Sequence, residues 1–369
     1  MVASVGEVAP ANKGLLRARE PKTAYKDLDR RTKRFIKGSL VTIAASTILF
    51  VYVLPLLFML TTSLKSEDQL ANGLILPQSP ATALIDGEEY ELLQVTIEGE
   101  TRALALVTPG RTVSTFADPD DPGTEIVWEG AWRTLQPEYS FDPGFANYPE
   151  AWRSTTPGMT RMIWNTFVIA GIGMTGTVIA STLVAYGLSR FRIPYKKLIL
   201  ASLLATIILP RFVTLVPTFI MYRWFGFIGT FVPLTLPHFF SNAYNVFLMR
   251  QFFLTIPKDL DEAAAIDGAG PFKTLITVIL PQAKGAVLAI ALFHFFFAWN
   301  DFFEPLVFLA RESSKFPLSV GLYQFLGIYD TNIPLVLSGA VIAMGIPLIV
   351  FVALQKAFLR GIDLSGSVK

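Results

Sequence analysis

The sequence predicts an all-α membrane protein of six transmembrane helices, with both termini cytoplasmic and a small β-rich extracytoplasmic insert between helices 1 and 2. Three observations carry that prediction. Apolar residues make up 52% of the chain and charged residues only 16%, with a mean hydropathy of +0.48; soluble domains carry about 25% charge. Apolar runs of roughly the 20 residues that a bilayer requires recur along the chain. Lys and Arg concentrate in alternate connecting segments, as they do in cytoplasmic loops.

Taken in order, residues 1–38 form a basic cytoplasmic segment, with ten basic residues in 1–37 and the cluster RRTKRFIK. The first span, 39–64, lies in the uncharged run Gly38–Leu64. That run is too long, and too far from the start, for a cleavable signal peptide. The outer segment 65–161 holds 16 acids and six basic residues. It is too long for a plain loop. YELLQVTI, TRALALVT and TEIVWEG read as strands, and EGE, PG and DPDDPG as turns, placing the insert at about 80–137. Spans two to six fall within 162–355. Their runs are Met162–Ser189, Leu198–Tyr222 interrupted by Arg211, Trp224–Met249, Gly285–Asn300 continuing past Asp301 and Glu304 to Ala310, and Thr331–Gln355. The tail is 356–369. With the N-terminus inside, the inner segments hold 21 basic residues and the longer outer ones nine.

Composition excludes several chemistries. There is no cysteine, so disulfide, thiol and cysteine–metal chemistry are absent. The two histidines, His238 and His294, make no HExxH motif and read as packed, hydrogen-bonded groups. No Walker A sequence occurs. GIGMTG at Gly171–Gly176 matches GxGxxG, but it sits inside a span with no preceding strand. Close helix approach explains it better than a dinucleotide site.

Residues 256–281 read IPKDLDEAAAIDGAGPFKTLITVILP. The pattern predicts two short helices and a sharp turn. Asp259 caps the first, with Glu262 reaching back as in a capping box. Leu260, Ala263 and Ala264 share a face small enough for close approach to a protein groove. Gly268 stops the helix, Gly270-Pro271 starts the second, and Pro281 ends it. An ordinary interfacial linker has the same pattern. Here the residues themselves carry a resemblance. Glu262-Ala263-Ala264, Asp267-Gly268 and Val278-Ile279-Leu280-Pro281 resemble the EAA loop of ABC-importer permeases, with Val278 in place of the usual Ile. FFFAWNDFFEPLVFL and the ending LQKAFLRGIDLSGSVK resemble the MalG-type subunits of carbohydrate importers. The resemblance covers span one and about Phe141 to the C-terminus, and leaves out the insert.

That resemblance implies a type I ABC-importer permease fold in a prokaryotic inner or plasma membrane. It implies a MalF-like second permease subunit, two ATPase subunits and an extracytoplasmic solute-binding protein that delivers a carbohydrate. ATP and Mg would be bound by the ATPase, leaving this chain without cofactor, metal, nucleic acid or catalytic residue. Glu262, Ala263, Ala264, Asp267, Gly268, Leu280 and Pro281 would couple to the ATPase. Trp299, Asn300, Asp301 and Glu304 are expected to line the translocation path, because intramembrane acids are costly and tend to face a cavity or a partner. The outer water interface is the alternative position for that pair. Arg211, after Pro210, pairs with an acid across the bundle or sits at the outer mouth. A non-sugar ABC permease remains a rival reading, as does an ATP-independent secondary transporter or a receptor centred on the insert.

Overall fold

The computed structural model describes residues 22–97, 99–326 and 332–366. Residues 1–21 of the predicted N-terminal segment, Thr331 at the start of the last predicted run, and residues 367–369 of the tail lie outside them. The chain divides into two compact units, Met1–Phe58 and Met59–Lys369. The first consists, where described, of most of helix α1 (Lys22–Ser63), which exposes apolar side chains such as Leu40, Ile48, Phe50 and Tyr52 all round. A helix apolar on every side belongs in lipid or against other helices.

In the second unit, α2 (Glu67–Ala71) opens with a capping box between Ser66 and Gln69. Among the described residues eight strands follow: β1 (Gln78–Pro80), β2 (Thr82–Ile85), β3 (Glu88–Ile97), β4 (Glu100–Thr108), β5 (Val113–Asp118), β6 (Asp121–Glu129), β7 (Gln136–Pro137) and β8 (Tyr139–Phe141). β1 and β8 pair as a short ladder, so the chain enters and leaves side by side. The larger sheet runs β2-β3-β4-β5-β6, with β7 on β3. The three strand-like segments of the sequence are β3, β4 and β6, while β2, β5 and β7 lacked a clear alternating pattern. Asp86 and Gly87, both at positive φ, turn β2 into β3 as an Asp-Gly hairpin does. One sheet face buries Leu93, Val95, Leu104 and Phe116, with Trp128 edge-on to Phe116. The other buries Ile85, Ala105 and Ala117.

α3 (Asn147–Arg153) leads into α4 (Met159–Arg190), the longest continuous helix wholly inside this unit apart from the last. Asn147 donates to the carbonyls of Ser63 and Lys65, closing the end of α1. α4 is the hub of the bundle. The glycines of GIGMTG lie in its interior, and Gly173 and Gly176 permit close approach, whereas a Cβ at Gly171 would meet no atom within 4 Å. A Cβ at Gly173 would collide with His294, and one at Gly176 would lie 2.6 Å from the Phe239 ring. Asn165 holds the carbonyls of Ser314 and Phe316 at 3.0 Å.

The later runs are less regular than their hydropathy predicted. The run Leu198–Tyr222 is two helices, α5 (Lys196–Ala205) with a 3₁₀ turn, then α6 (Arg211–Trp224), bent by 96°. Pro210 sits at the bend; it is extended and has no N–H to continue the ladder. The run Trp224–Met249 is not one helix. It breaks at Gly226 and Gly229, both at positive φ, forms only α7 (Val232–Thr235) and a 3₁₀ turn through Pro237, and turns again at Ser241. α8 then runs Ala243–Thr255, beyond the expected end. After α9 (Asp259–Ile266), helix α10 (Pro271–Thr274) passes through a π-turn into α11 (Leu280–Gln282). α12 (Lys284–Asn300) stops at extended Asp301 instead of continuing to Ala310, and α13 (Phe303–Phe308) starts afresh. Pro305 explains that break: it has no N–H for the Asp301 carbonyl, which accepts from Ser319 Oγ at 2.7 Å instead. α14 (Leu318–Leu322) and α15 (Ile333–Gly366) complete the unit.

Among the described residues, three helices are therefore long and apolar enough to cross a membrane, Thr32–Ser63, Met159–Arg190 and Ile333–Lys356. The number rises to five if each of two bent pairs is one span.

Candidate functional site

Two places gather the residues singled out by sequence. The first is the loop 256–281. Its helix α9 has Lys258 at the N-cap and no side-chain cap bond, so the expected Asp259–Glu262 capping box does not form. Asp259 is already the first helical residue, one position too late to cap. Asp259, Asp261 and Glu262 instead place three carboxylates in the first turn, where the helix dipole favours them. The stop at Gly268 is as the sequence predicts. Gly268 has φ +74°, its N–H donates to Ala265 O at 3.1 Å, and Ala269 N–H donates to Ala264 O at 2.8 Å. This is the paired closure of a Schellman motif. Pro271 occupies the first turn of α10. Pro281, expected to end that second helix, lies inside α11; the preceding turn widens to a π-turn closed by Leu280 N–H on Leu275 O, and the axis then bends by 84° into α12.

Ala264 is buried, and Leu260 and Leu280 pack against the cluster of Val246, Phe253, Leu275 and Ile279. Glu262, Ala263, Asp267, Gly268 and Pro281 are exposed. Ala263 thus does not share the buried face with Ala264. The outward face also carries Ile266, 88% exposed, and Phe272. Arg190, at the end of α4, lies against this loop. Its side chain is 6% exposed, with Nε 3.2 Å from Asp261 Oδ2 and Nη2 donating to Ile256 O at 3.0 Å.

The second place is a cavity of about 530 Å³ among α4, α6, α7, α8, α12 and α13. Arg211 reaches into it from the α5–α6 bend. One guanidinium nitrogen is 2.6 Å from Glu304 Oε1 and 3.6 Å from Asp301 Oδ2, and the group lies 4.5 Å above the Phe297 ring. The acid across the bundle that Arg211 required is this pair. His238 and His294 meet edge-on, ring centres 4.3 Å apart, and His294 Nδ1 is 3.1 Å from Thr177 Oγ1. Asn242, Asn245, Tyr244, Thr214 and Thr218 complete a lining of hydroxyls, amides and rings.

Of the four residues expected along the path, Glu304 lines this cavity and Asp301 stands behind it on Arg211. Trp299 does not: it is buried against Met162 and Phe295, with Nε1 donating to Ala343 O at 3.1 Å. Asn300 is exposed and its amide returns to Phe296 O in its own helix. Trp299 packs on the opposite side of α12 from His294 and Phe297, so adjacency in sequence to the acids misplaced it. Beyond Arg211, which the sequence singled out, the α6 contribution was missed. Arg211, Thr214, Thr218 and Tyr222 recur at helical spacing along one face, a polar stripe that the run's apolar average concealed. Among the described residues no cluster of three His, Asp or Glu side chains is arranged to hold a metal ion.

Comparison with known proteins adds a family to this geometry. Residues 176–364 match the family model "Binding-protein-dependent transport system inner membrane component". The chain is 32% identical over 285 residues to the osmoprotective compounds uptake permease protein GgtD of Synechocystis, covering 76% of this chain and 94% of that protein. It is 34% identical over 239 residues to the sn-glycerol-3-phosphate transport system permease protein UgpE of Brucella abortus, covering 62% and 84%. Among solved structures it resembles a chain of a bacterial ABC transporter involved in the import of the acidic polysaccharide alginate. That match has a TM-score of 0.61 at 20% identity, covering 89% of this chain and 98% of that one.

Proposed function

Because the chain belongs to the family of binding-protein-dependent transport system inner membrane components, we propose that it forms half of the translocation path of an ATP-driven carbohydrate importer. A second permease subunit completes the path, two ATPase subunits bind ATP and Mg below, and an extracytoplasmic binding protein delivers the solute. The chain crosses a prokaryotic cell membrane six times with both termini cytoplasmic, which puts loop 256–281 on the ATPase side and the acidic insert outside. Basic residues weighted towards the inner segments support this orientation.

The observation that carries the reading is the polar cavity. A sugar or polyol crossing a membrane needs its water shell replaced by hydroxyl, amide and charged groups, and by ring faces for its C–H surface. Thr214, Thr218, Asn242, Asn245, Tyr244 and the Arg211–Glu304 pair supply such groups between apolar helices. sn-Glycerol-3-phosphate, carried by the system that UgpE serves, is itself hydroxylated. Transport then needs no covalent step in this chain. Closure of the ATPases displaces the exposed face of α9, and the helices around the cavity open to alternate sides.

The test is uptake by the complete transporter, with the two partner proteins and the binding protein, over a panel of labelled sugars and polyols. Asn245→Leu and Glu304→Gln should lower uptake at least tenfold while ATPase subunits still co-purify. Parent-level uptake in both variants would move the path elsewhere, and uptake restricted to amino acids or inorganic ions would overturn the carbohydrate assignment.

A further inference from the structure

The loop 256–281 has two routes to the cavity, and they differ mechanically. The covalent route climbs α10, the π-turn and α11, then bends by 84° into α12. A kink at a π-turn and a proline is a place where a push is absorbed as bending. The other route is α4, an unbroken helix of 32 residues, whose last turn touches the loop at three points. Tyr186 Oη donates to Pro271 O at 3.2 Å, at the start of α10. Arg190 Nη2 donates to Ile256 O at 3.0 Å, at the entry to the loop. Arg190 Nε stands 3.2 Å from Asp261 Oδ2, on α9 itself.

We propose that Arg190 and Asp261 are positioning residues for coupled transport: their ion pair clamps α9 to the end of α4, so that displacement of the loop enters the cavity along α4. The inference rests on the permease reading above. Three features of the pair support a mechanical role. Its charges are held in a protected place, with side-chain exposures of 6% and 23%, where salt and water screen them weakly. The contact is one of charge, since neither Nε nor Oδ2 is engaged in a directional hydrogen bond, so it tolerates small rotations of α9 without releasing it. The cation also stands at the C-terminus of α4, where the helix dipole favours it. From Arg190 to Thr177 is 13 residues, or about 20 Å of helix. At that level Thr177 bonds His294 in the cavity wall. A rigid displacement of the α4 end therefore reaches the cavity directly.

Other charges near the clamp are Lys258, Glu262 and Arg250. Lys258 and Glu262 border a cavity of about 330 Å³ beside the pair. Arg250 Nε donates to Leu188 O at 3.4 Å. None of these replaces the Arg190–Asp261 contact, because none joins α4 to the first turn of α9.

The test uses the full transporter and measures uptake per ATP hydrolysed, with co-purification of the ATPase as the control for assembly. Arg190→Gln and Asp261→Asn should each lower uptake per ATP at least tenfold with the ATPase still bound. The double variant should be no worse than either single one, because both remove the same contact. Asp261→Glu, which keeps the charge, should retain most of the coupling. A cross-link supplies a readout that a merely structural role would not move. The chain has no cysteine of its own, so Arg190→Cys with Asp261→Cys gives a single addressable pair in it. Joining them with a bifunctional maleimide should restore coupling lost in the uncross-linked protein. Additive losses in the double variant, or no recovery on cross-linking, would overturn the clamp. A parent complex whose ATP hydrolysis does not respond to solute and binding protein would instead overturn the permease reading itself.

Discussion

Gly268 offers the cleanest test of whether the loop geometry matters, because its replacement changes the backbone and nothing else. The residue sits at φ +74°, and a Cβ built there meets no atom within 4 Å. Alanine therefore brings no clash. Its cost is that of holding an L-residue in the left-handed region, about 1–2 kcal/mol, partly offset by the roughly 0.4–1 kcal/mol gained from a stiffer unordered chain. A net loss of about 1 kcal/mol corresponds to roughly a fivefold shift against the ordered turn. The two closing bonds, Gly268 N–H to Ala265 O and Ala269 N–H to Ala264 O, depend on that conformation, and they fix how α9 is set against α10. The affinity of the ATPase for the purified permease pair should fall in the order Gly, Asn, Ala, Val, with up to about fivefold lost at Ala. Asn ranks second because it tolerates the left-handed region, and Val last because branching at Cβ does not. Binding measured by fluorescence anisotropy in nanodiscs reads the series directly. Equal affinities across all four residues, or Val binding as well as Gly, would refute the claim that the turn is held in this geometry for docking.

Two further substitutions test the other parts of the structure. Phe116→Ala, in the fully buried centre of the small sheet, should cost about 3–5 kcal/mol, enough to unfold the insert; limited proteolysis should then cut between β2 and β7 while membrane insertion is unchanged. Gly173→Ala should push His294 from its Thr177 partner at about 1–3 kcal/mol of overpacking, lowering the melting temperature and the uptake rate with ATPase binding intact.

The parts of the fold that sequence made legible are those where one side-chain property decides the outcome. The apolar runs within α1, α4 and α15 each appear as part of a long helix, and Pro55 and Pro347 lie inside the first and the last without ending them. The interrupted runs were misread because hydropathy records what a side chain prefers and says nothing about whether the backbone ladder continues through it. The signals for interruption were present: Pro210, Gly226, Gly229, Pro233, Pro237 and Pro305 all fall inside runs that average as apolar. The loop 256–281 was legible at Gly268 and Pro271, where a single residue's backbone preference governs. It was not at Asp259, because the capping box depends on where the helix begins, and a shift of one position removes it. The pairing of Arg211 with Asp301 and Glu304 spans about 90 positions, and nothing local in either segment specifies the other.

The misread positions and the cavity have one physical cause. Inside a bilayer a broken helix leaves backbone groups that lipid cannot satisfy, so breaks persist only where protein or an aqueous space surrounds them. The bend at Pro210 places Arg211 at the cavity. The interruption from Phe225 to Asn242 supplies His238, Ser241 and Asn242 to its wall. The gap between α12 and α13 sets Asp301 and Glu304 opposite the same guanidinium. Each of these three interruptions brings a polar group to the shared space, and α4, the unbroken neighbour, meets that space through Thr177. A straight bundle of the same composition would have buried these groups between apolar helices at a cost of several kcal/mol for each unpaired charge. The proline and glycine interruptions therefore create the room in which the charges pair. Replacing Pro210 or Pro305 with a strong helix former would lengthen a helix at the expense of the cavity.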